Sequence, residues 1–261
     1  MMRVVQPPAQ QQTLLSSSPL TTHATKDAAT VPEARELCAR RIWQSASAVC
    51  FDVDSTVCTD EAIDELAAFL GVGDAVAAAT ARAMNGGLRF REALRARLDI
   101  MQPSRAAVEE FAQRPPRLTP GIKELVAALH ARGTHVYLVS GGFRRLIRPV
   151  ADQLAIPHSR IYANEILFND DVDGCYAGFD DSEPTSDSGS KQVGKAGVCG
   201  ALKTRHGYTS LVMVGDGATD AEAAPPADAF IGFGGNQVRD AVKKSADWYV
   251  MSFETLRKAL L

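Results

Sequence analysis

The sequence predicts a doubly wound α/β protein: a mostly parallel sheet between helices, with a small helical domain inserted after the first strand. Three observations carry this. Short, nearly continuous apolar runs recur along the chain, and such runs suit strands buried on both faces of a parallel sheet. Helical patterns separate the runs, and alternation of strand and helix marks this architecture. The first two runs are about 80 residues apart, too far for one crossover.

The elements follow in order. Residues 1–26 contain no acid, and only Arg3 and Lys26 as bases, among many Gln, Ser, Thr and Pro. Such a stretch packs no core, so 1–31 reads as a flexible N-terminal extension. Mitochondrial and plastid transit segments are also acid-poor and Ser-rich, but this one is not Arg-rich. The protein is therefore expected inside the cell: in the cytoplasm, or in an organelle if residues 1–30 are a transit peptide. A helix follows over 31–44, with Leu37, Ala39, Ile42 and Trp43 as its inward contacts. Strands are expected at 48–51, 135–140, 211–215, 229–232 and 248–251. Helices are expected at 120–132, with Thr119 as N-cap and Pro120 at the first helical position, and at about 143–154 and 195–205. Residues 62–118 are rich in Ala, Leu and Arg. Helical spacing at 63–70, 74–84, 90–100 and 104–112 makes them a helical cap, leaving 32–61 and 119–261 as the core. Residues 168–179 read as a β-hairpin turning at Asp173-Gly174.

Bulk properties exclude several functions. The chain is 46% apolar and 23% charged, with a net charge of −3. No broad basic surface for nucleic acid is implied, and no apolar run approaches the roughly 18 residues of a membrane span. The five cysteines form no C-x-x-C pair, so neither a zinc site nor a thioredoxin-like motif is indicated. Reduced, mostly buried thiols are expected.

Three strands end in small or polar residues: Asp52, Ser140-Gly141-Gly142 and Asp216-Gly217. Ligands of open α/β sheets sit beyond the carboxyl ends of the strands, so these segments should converge. Asp52 and Asp54, two apart along a strand, would point the same way. Two carboxylates aimed at one point repel unless a cation joins them, and Asp216 would add a third. Such a group suits a hard divalent ion, and three carboxylates together with a phosphate suit Mg²⁺. An EF-hand loop from Asp52 would need Gly and Glu where Val57 and Ile63 stand, so that alternative fails. Ser140-Gly141-Gly142, between strand and helix, can hold an anion. Residues 189–195 match G-x-x-x-x-G-K, but Ala196 replaces the metal-binding Ser or Thr and no apolar strand precedes them. A nucleotide P-loop is excluded, and Lys195 remains a phosphate ligand.

Together the motifs resemble the haloacid dehalogenase-like hydrolases, most closely the phosphoserine phosphatase family. The D-x-D-x-[TS] motif stands as Asp52-Val53-Asp54-Ser55-Thr56, the second motif ends at Ser140, and G-D-x-x-x-D runs from Gly215 through Asp216 to Asp220. Longer matches cover 48–56, 63–66, 118–122, 140–143, 214–220 and 225–236. The resemblance implies a Rossmann-like core and Mg²⁺-dependent hydrolysis of L-phosphoserine, the closing step of serine biosynthesis. Asp52 would be the nucleophile and Asp54 the proton donor and acceptor. Mg²⁺ would be held by Asp52, the Asp54 carbonyl and Asp216, with Asp220 in support. Ser140 and Lys195 would bind the phosphate, Glu61 the substrate ammonium and Arg97 its carboxylate. Met84, Gly141, Gly142 and Thr219 would line the substrate. Lys191 competes with Lys195, but Lys195 has the family spacing to Asp216 and opens the helix. Asn85 stands where the family has glycine, and Gly86-Gly87 suggest a shifted turn. The substrate is thus a small molecule, with no nucleic-acid or membrane partner; a homodimer is compatible with the sequence but not specified by it.

Overall fold

In the computed structural model, the described residues are 31–261 without 172, 173 and 191, and the side chains of 84–86 are also outside this set. Residues 1–30 of the N-terminal extension, Lys191, the Asp173 half of the hairpin turn and the substrate contact of Met84 therefore lie outside the described residues, while Val31 already belongs to a helix.

Among the described residues, eight strands form two sheets. They are β1 (Ala48–Phe51), β2 (His135–Phe143), β3 (Ile161–Asn164), β4 (Ile166–Asn169), β5 (Cys175–Phe179), β6 (Leu211–Gly215), β7 (Ala229–Phe233) and β8 (Trp248–Val250). The main sheet has the order β3-β2-β1-β6-β7-β8, and every pairing in it is parallel. β4 and β5 form the antiparallel hairpin. The helices are α1 (Val31–Gln44), α2 (Ala62–Phe69), α3 (Gly73–Gly86), α4 (Phe90–Met101), α5 (Arg105–Ala112), α6 (Ile122–Ala131), α7 (Arg144–Gln153), α8 (Gly194–His206), α9 (Ala218–Ala221), α10 (Asp240–Ser245) and α11 (Phe253–Lys258).

The sheet is covered on both faces, which explains its continuous apolar runs. Alternate residues of a strand face opposite ways. Val49, Phe51, Leu138 and Val214 pack with Trp43, Ile122 and Phe253 on one side. Cys50, Val139, Met213 and Phe230 pack with Val198 and Leu202 on the other. The inserted helices α2–α5 bury Leu66, Val76, Leu94, Leu98 and Val108 in a third cluster, which also takes Phe143, Leu146, Ile166 and Phe179. The insertion therefore shares its core with α7 and the hairpin.

Four details depart from the sequence reading. β3 is an additional strand; its Tyr162 and Asn164 interrupt the apolar run that would have marked it. Leu37 is exposed, while Ala39 and Trp43 are buried. Thr119 does not cap α6, whose N-cap is Gly121. Thr119 Oγ1 instead donates to the carbonyl of Thr56 at 2.7 Å. Finally, β2 runs through Gly141-Gly142 to Phe143 rather than stopping at Ser140. The expected glycine turn after α3 falls at Gly87, whose φ of 65° is left-handed. All five cysteines are free, three of them buried. Among the described residues, no helix is long and apolar enough to cross a membrane.

Candidate active site

The register sets β1 between β2 and β6, pairing Phe51 with both Leu138 and Val214. Asp52 then leaves the sheet, its N–H still donating to the Val214 carbonyl at 2.9 Å. The chain turns at once through a wide helical turn over Val53–Val57, with Ser55 at φ 53°. This turn, not the two-residue period of a strand, aims Asp52 and Asp54 at one cleft. Asn236 braces it: its Nδ2 lies 2.7–3.3 Å from the carbonyls of Ser55, Thr56 and Cys58 and from Thr119 Oγ1. The two amide hydrogens are shared among those four acceptors.

Asp52 is 7% exposed. Its Oδ1 accepts from Val53 N and pairs with Lys195 Nζ, each at 2.7 Å. Lys195, at the start of α8, also donates to Asp220 Oδ1 at 2.6 Å. Burial pushes the lysine pKa down, but the carboxylates of Asp220 and Asp52 outweigh it and hold the ammonium charged. Asp220 Oδ2 accepts from Gly217 N at 2.9 Å, and burial and Asp52 raise its pKa to about 7 against the pull of Lys195.

Asp54 belongs to a different set of contacts. Its Oδ1 accepts from Ala62 N at 2.8 Å, and its Oδ2 from Ser140 Oγ at 3.2 Å. Burial, then Glu61 and Asp52, raise its pKa to about 7, where a carboxyl group can both give and take a proton near neutrality. Ser140 Oγ accepts from Gly142 N at 2.8 Å. A Cβ at Gly142 would stand 3.0 Å from Asp54 Oδ2 and 3.1 Å from Ser140 Oγ, so a side chain here would press on both the acid and the hydroxyl.

Asp216 Oδ1 accepts from Thr56 Oγ1 at 3.2 Å. Its Oδ2 lies 2.6 Å from Arg239 Nη1, yet it is buried and has no well-formed hydrogen bond. Burial and Asp52 raise this acid to about 6, opposed by Arg239 and Lys195. The carboxylates of Asp52, Asp216 and Asp220 offer oxygens within 4.8 Å of one another. This hard-oxygen donor set, with one buried carboxylate oxygen still lacking a hydrogen bond, fits a divalent cation.

A cleft of about 230 Å³ joins these groups to the insertion. Asp52, Asp54, Lys195, Asp216, Gly141, Gly142 and Thr219 line it from the sheet, Glu61 and Arg97 from the helices. Glu61 precedes α2 and accepts from Ser55 Oγ at 2.7 Å. Arg97 spends Nε on the Ala93 carbonyl at 3.2 Å, and burial lowers its pKa while Asp64, Glu61 and Asp54 oppose the drop. Of the sequence-derived site residues that are described, only Ser140 and Asp220 lie behind the lining, each wholly buried and bonded to a residue that does line it. Arg239 was not foreseen. It reaches Asp216 from the loop after β7 and stands 3.7 Å from Glu61, a lone arginine with no local pattern. Asn236 ends the family match over 225–236, but that match gave it no role.

The raised acids make one prediction. Each has a higher pKa folded than its usual 3.8, so at these three sites the native state binds more protons and their contribution to stability falls as pH rises from about 4 to 7. In EDTA the melting temperature should fall across that range, and Mg²⁺ should reduce the fall. A flat EDTA profile would count against the buried-acid cluster.

Comparison with known proteins agrees with this geometry. The haloacid dehalogenase-like hydrolase family model matches residues 46–228. The chain is 52% identical to bovine (Bos taurus) phosphoserine phosphatase over 222 residues, covering 85% of this chain and 96% of the relative. It is 53% identical to the chloroplastic phosphoserine phosphatase of Arabidopsis thaliana, over 84% of this chain and 73% of that one. A solved structure of a phospho-aspartyl intermediate analogue of phosphoserine phosphatase superimposes with a TM-score of 0.65 at 27% identity, covering 83% of this chain and 99% of the other. A family model spanning most of the sheet, joined to identity above one half along most of the chain, places this enzyme in its lineage: the chain belongs to the haloacid dehalogenase-like hydrolases.

Proposed function

We propose that this enzyme hydrolyses L-phosphoserine to L-serine and phosphate through an aspartyl-phosphate on Asp52, completing serine biosynthesis, with Mg²⁺ as its ion. One observation carries the reading. The acids and the lysine that serve phosphoryl transfer share a cleft of about 230 Å³ with Glu61 and Arg97 from the inserted helices. Those two charges complement an amino acid's ammonium and carboxylate.

A carboxylate oxygen of Asp52 attacks phosphorus while the bond to the serine oxygen breaks, and Asp54 gives its proton to that oxygen. Asp54, now a base, takes a proton from water as the water attacks phosphorus and releases Asp52. One difficult displacement becomes two easier ones. Lys195 steadies the phosphoryl oxygens, as does the backbone N–H of Gly141; Ser140, whose hydroxyl donates to Asp54 and accepts from the Gly142 N–H, joins them by turning its hydrogen from Asp54 to the phosphate. Asp220 holds Lys195 in place. Asp52, the Asp54 carbonyl and Asp216 would hold Mg²⁺, which when bound offsets the negative charge shared by phosphate and carboxylates. With Nε engaged, Arg97 has both terminal nitrogens for a substrate carboxylate, a fork that binds two oxygens. Thr219 and Met84 complete the substrate's surroundings.

The proposal includes residues 62–118 as a cap over the core of 32–61 and 119–261, with 1–31 as an extension. It also places the enzyme inside the cell, in the cytoplasm, or in an organelle where residues 1–30 act as a transit segment.

The test is phosphate release with Mg²⁺ from phosphoserine, phosphothreonine, a sugar phosphate and an aryl phosphate. Phosphoserine should lead, and equal rates on all four would sink the assignment. Arg97→Ala sharpens it. Losing a charge-assisted contact should cut kcat/KM for phosphoserine about 10- to 100-fold and leave the aryl phosphate nearly unchanged; equal losses would remove Arg97 from the carboxylate site.

A further inference from the structure

Arg91 crosses from the inserted helices to the core. It lies six residues before Arg97 in α4, and its Nη2 donates to Ser186 Oγ at 2.9 Å and to the Asp181 carbonyl at 3.1 Å. Its Nε is buried without a hydrogen-bond partner, 3.7 Å from Asp187 Oδ2. That distance is too long for a hydrogen bond, and an unmet buried donor is costly. The loop it grips is built into the site. Thr185 and Ser186 are buried. Thr185 Oγ1 donates to Asn164 Oδ1 at 3.0 Å, and Asn164 Nδ2 donates to the Gly141 carbonyl at 2.8 Å. Asp187 lines the cleft, and its carbonyl lies 2.9 Å from where a Cβ on Gly194 would stand, beside Lys195.

We propose that Arg91 is a positioning residue, a latch that holds the Arg97-bearing helix against the loop leading into Lys195. Closure over substrate brings Arg91 Nε onto the Asp187 carboxylate. The inference rests on the phosphoserine reading, because a latch between cap and core favours substrates gripped from both. It gives the unmet donor a partner and couples recognition at the cap to the phosphate loop and the lysine. Arg91 is partly exposed, so solvent screens the pair and the effect belongs at the low end of couplings between sites.

The test measures kcat and KM with Mg²⁺ on phosphoserine and on an aryl phosphate. The variants are Arg91→Ala, Arg91→Lys, Asp187→Asn and the double variant Arg91→Ala/Asp187→Asn. Loss of the latch lowers the closed population and so weakens apparent binding. Arg91→Ala and Asp187→Asn should each raise the phosphoserine KM about fivefold; Arg91→Ala should change kcat by less than about twofold and leave the aryl phosphate near wild type. The double variant should be no worse than Arg91→Ala, and Arg91→Lys should recover part of the loss. Additive effects, or equal losses on both substrates, would overturn the latch. A wild type with no preference for phosphoserine would instead overturn the assigned substrate. In that case amide exchange decides the latch: it must rise at 90–101 and 181–188 in Arg91→Ala, and unchanged exchange rejects it.

Discussion

Asp52→Asn should lower phosphate release from phosphoserine by at least about 10³-fold, the scale on which removal of a nucleophile acts, without unfolding the protein. The amide has nearly the shape of the carboxylate. Its oxygen can still accept from Val53 N and Lys195 Nζ, the two contacts of Asp52 Oδ1. It carries no charge with which to attack phosphorus. The stability readout separates this from simple disruption. Asp52 raises the pKa of Asp54, Asp216 and Asp220. Removing its charge should relax all three and leave the melting temperature in EDTA at pH 7 equal to or above that of the wild type. Activity within tenfold of the wild type would show that another group attacks phosphorus. A lost fold would show that Asp52 is needed chiefly for structure.

The parts of this site that were legible in the sequence are those that local chemistry writes in one place. β1, β6 and β7 are apolar on both faces because both faces are covered, so each appears as an unbroken run. Asp52, Ser140 and Asp216 were visible because polar residues at the ends of such runs have few other reasons to be there. Lys195 was preferred to Lys191 by its distance from Asp216; it stands between Asp52 and Asp220, and Lys191 lies outside the described residues. What was hidden depends on contacts between distant segments. Arg239 meets Asp216 only because β6 and β7 are neighbours. Asn236 braces a turn some 180 residues before it. The strand period also gave the right partners for the wrong reason: Asp52 and Asp54 share the cleft through the turn at Ser55, a shape to which no single residue type pointed. Arg91 belongs to no motif, and only the loop opposite gives it a role.

Asp54→Asn should slow turnover of phosphoserine by about 10²- to 10⁴-fold, the span of general acid–base catalysis, and it should do so differently for different leaving groups. The substitution is tolerable locally. The amide oxygen can accept from Ala62 N, as Oδ1 does now. The new amide N–H would face Ser140 Oγ, which now donates to Oδ2 and accepts from Gly142 N. That hydroxyl has a second lone pair to accept with, so the phosphate loop need not move. What is lost is the proton. Serine leaves as a poor alkoxide without it, so the first step fails on phosphoserine. A nitrophenyl phosphate releases a stable phenolate and needs no acid, so Asp52 should still take its phosphoryl group. The second step then lacks its base, and the aspartyl-phosphate should accumulate. Rapid mixing should show a burst of one nitrophenolate per enzyme followed by slow turnover. Wild-type turnover of phosphoserine would remove Asp54 from the proton transfers. A slow phase with no burst would mean that Asp54 acts before the phosphoryl group moves, on the placement of Asp52 rather than on the water.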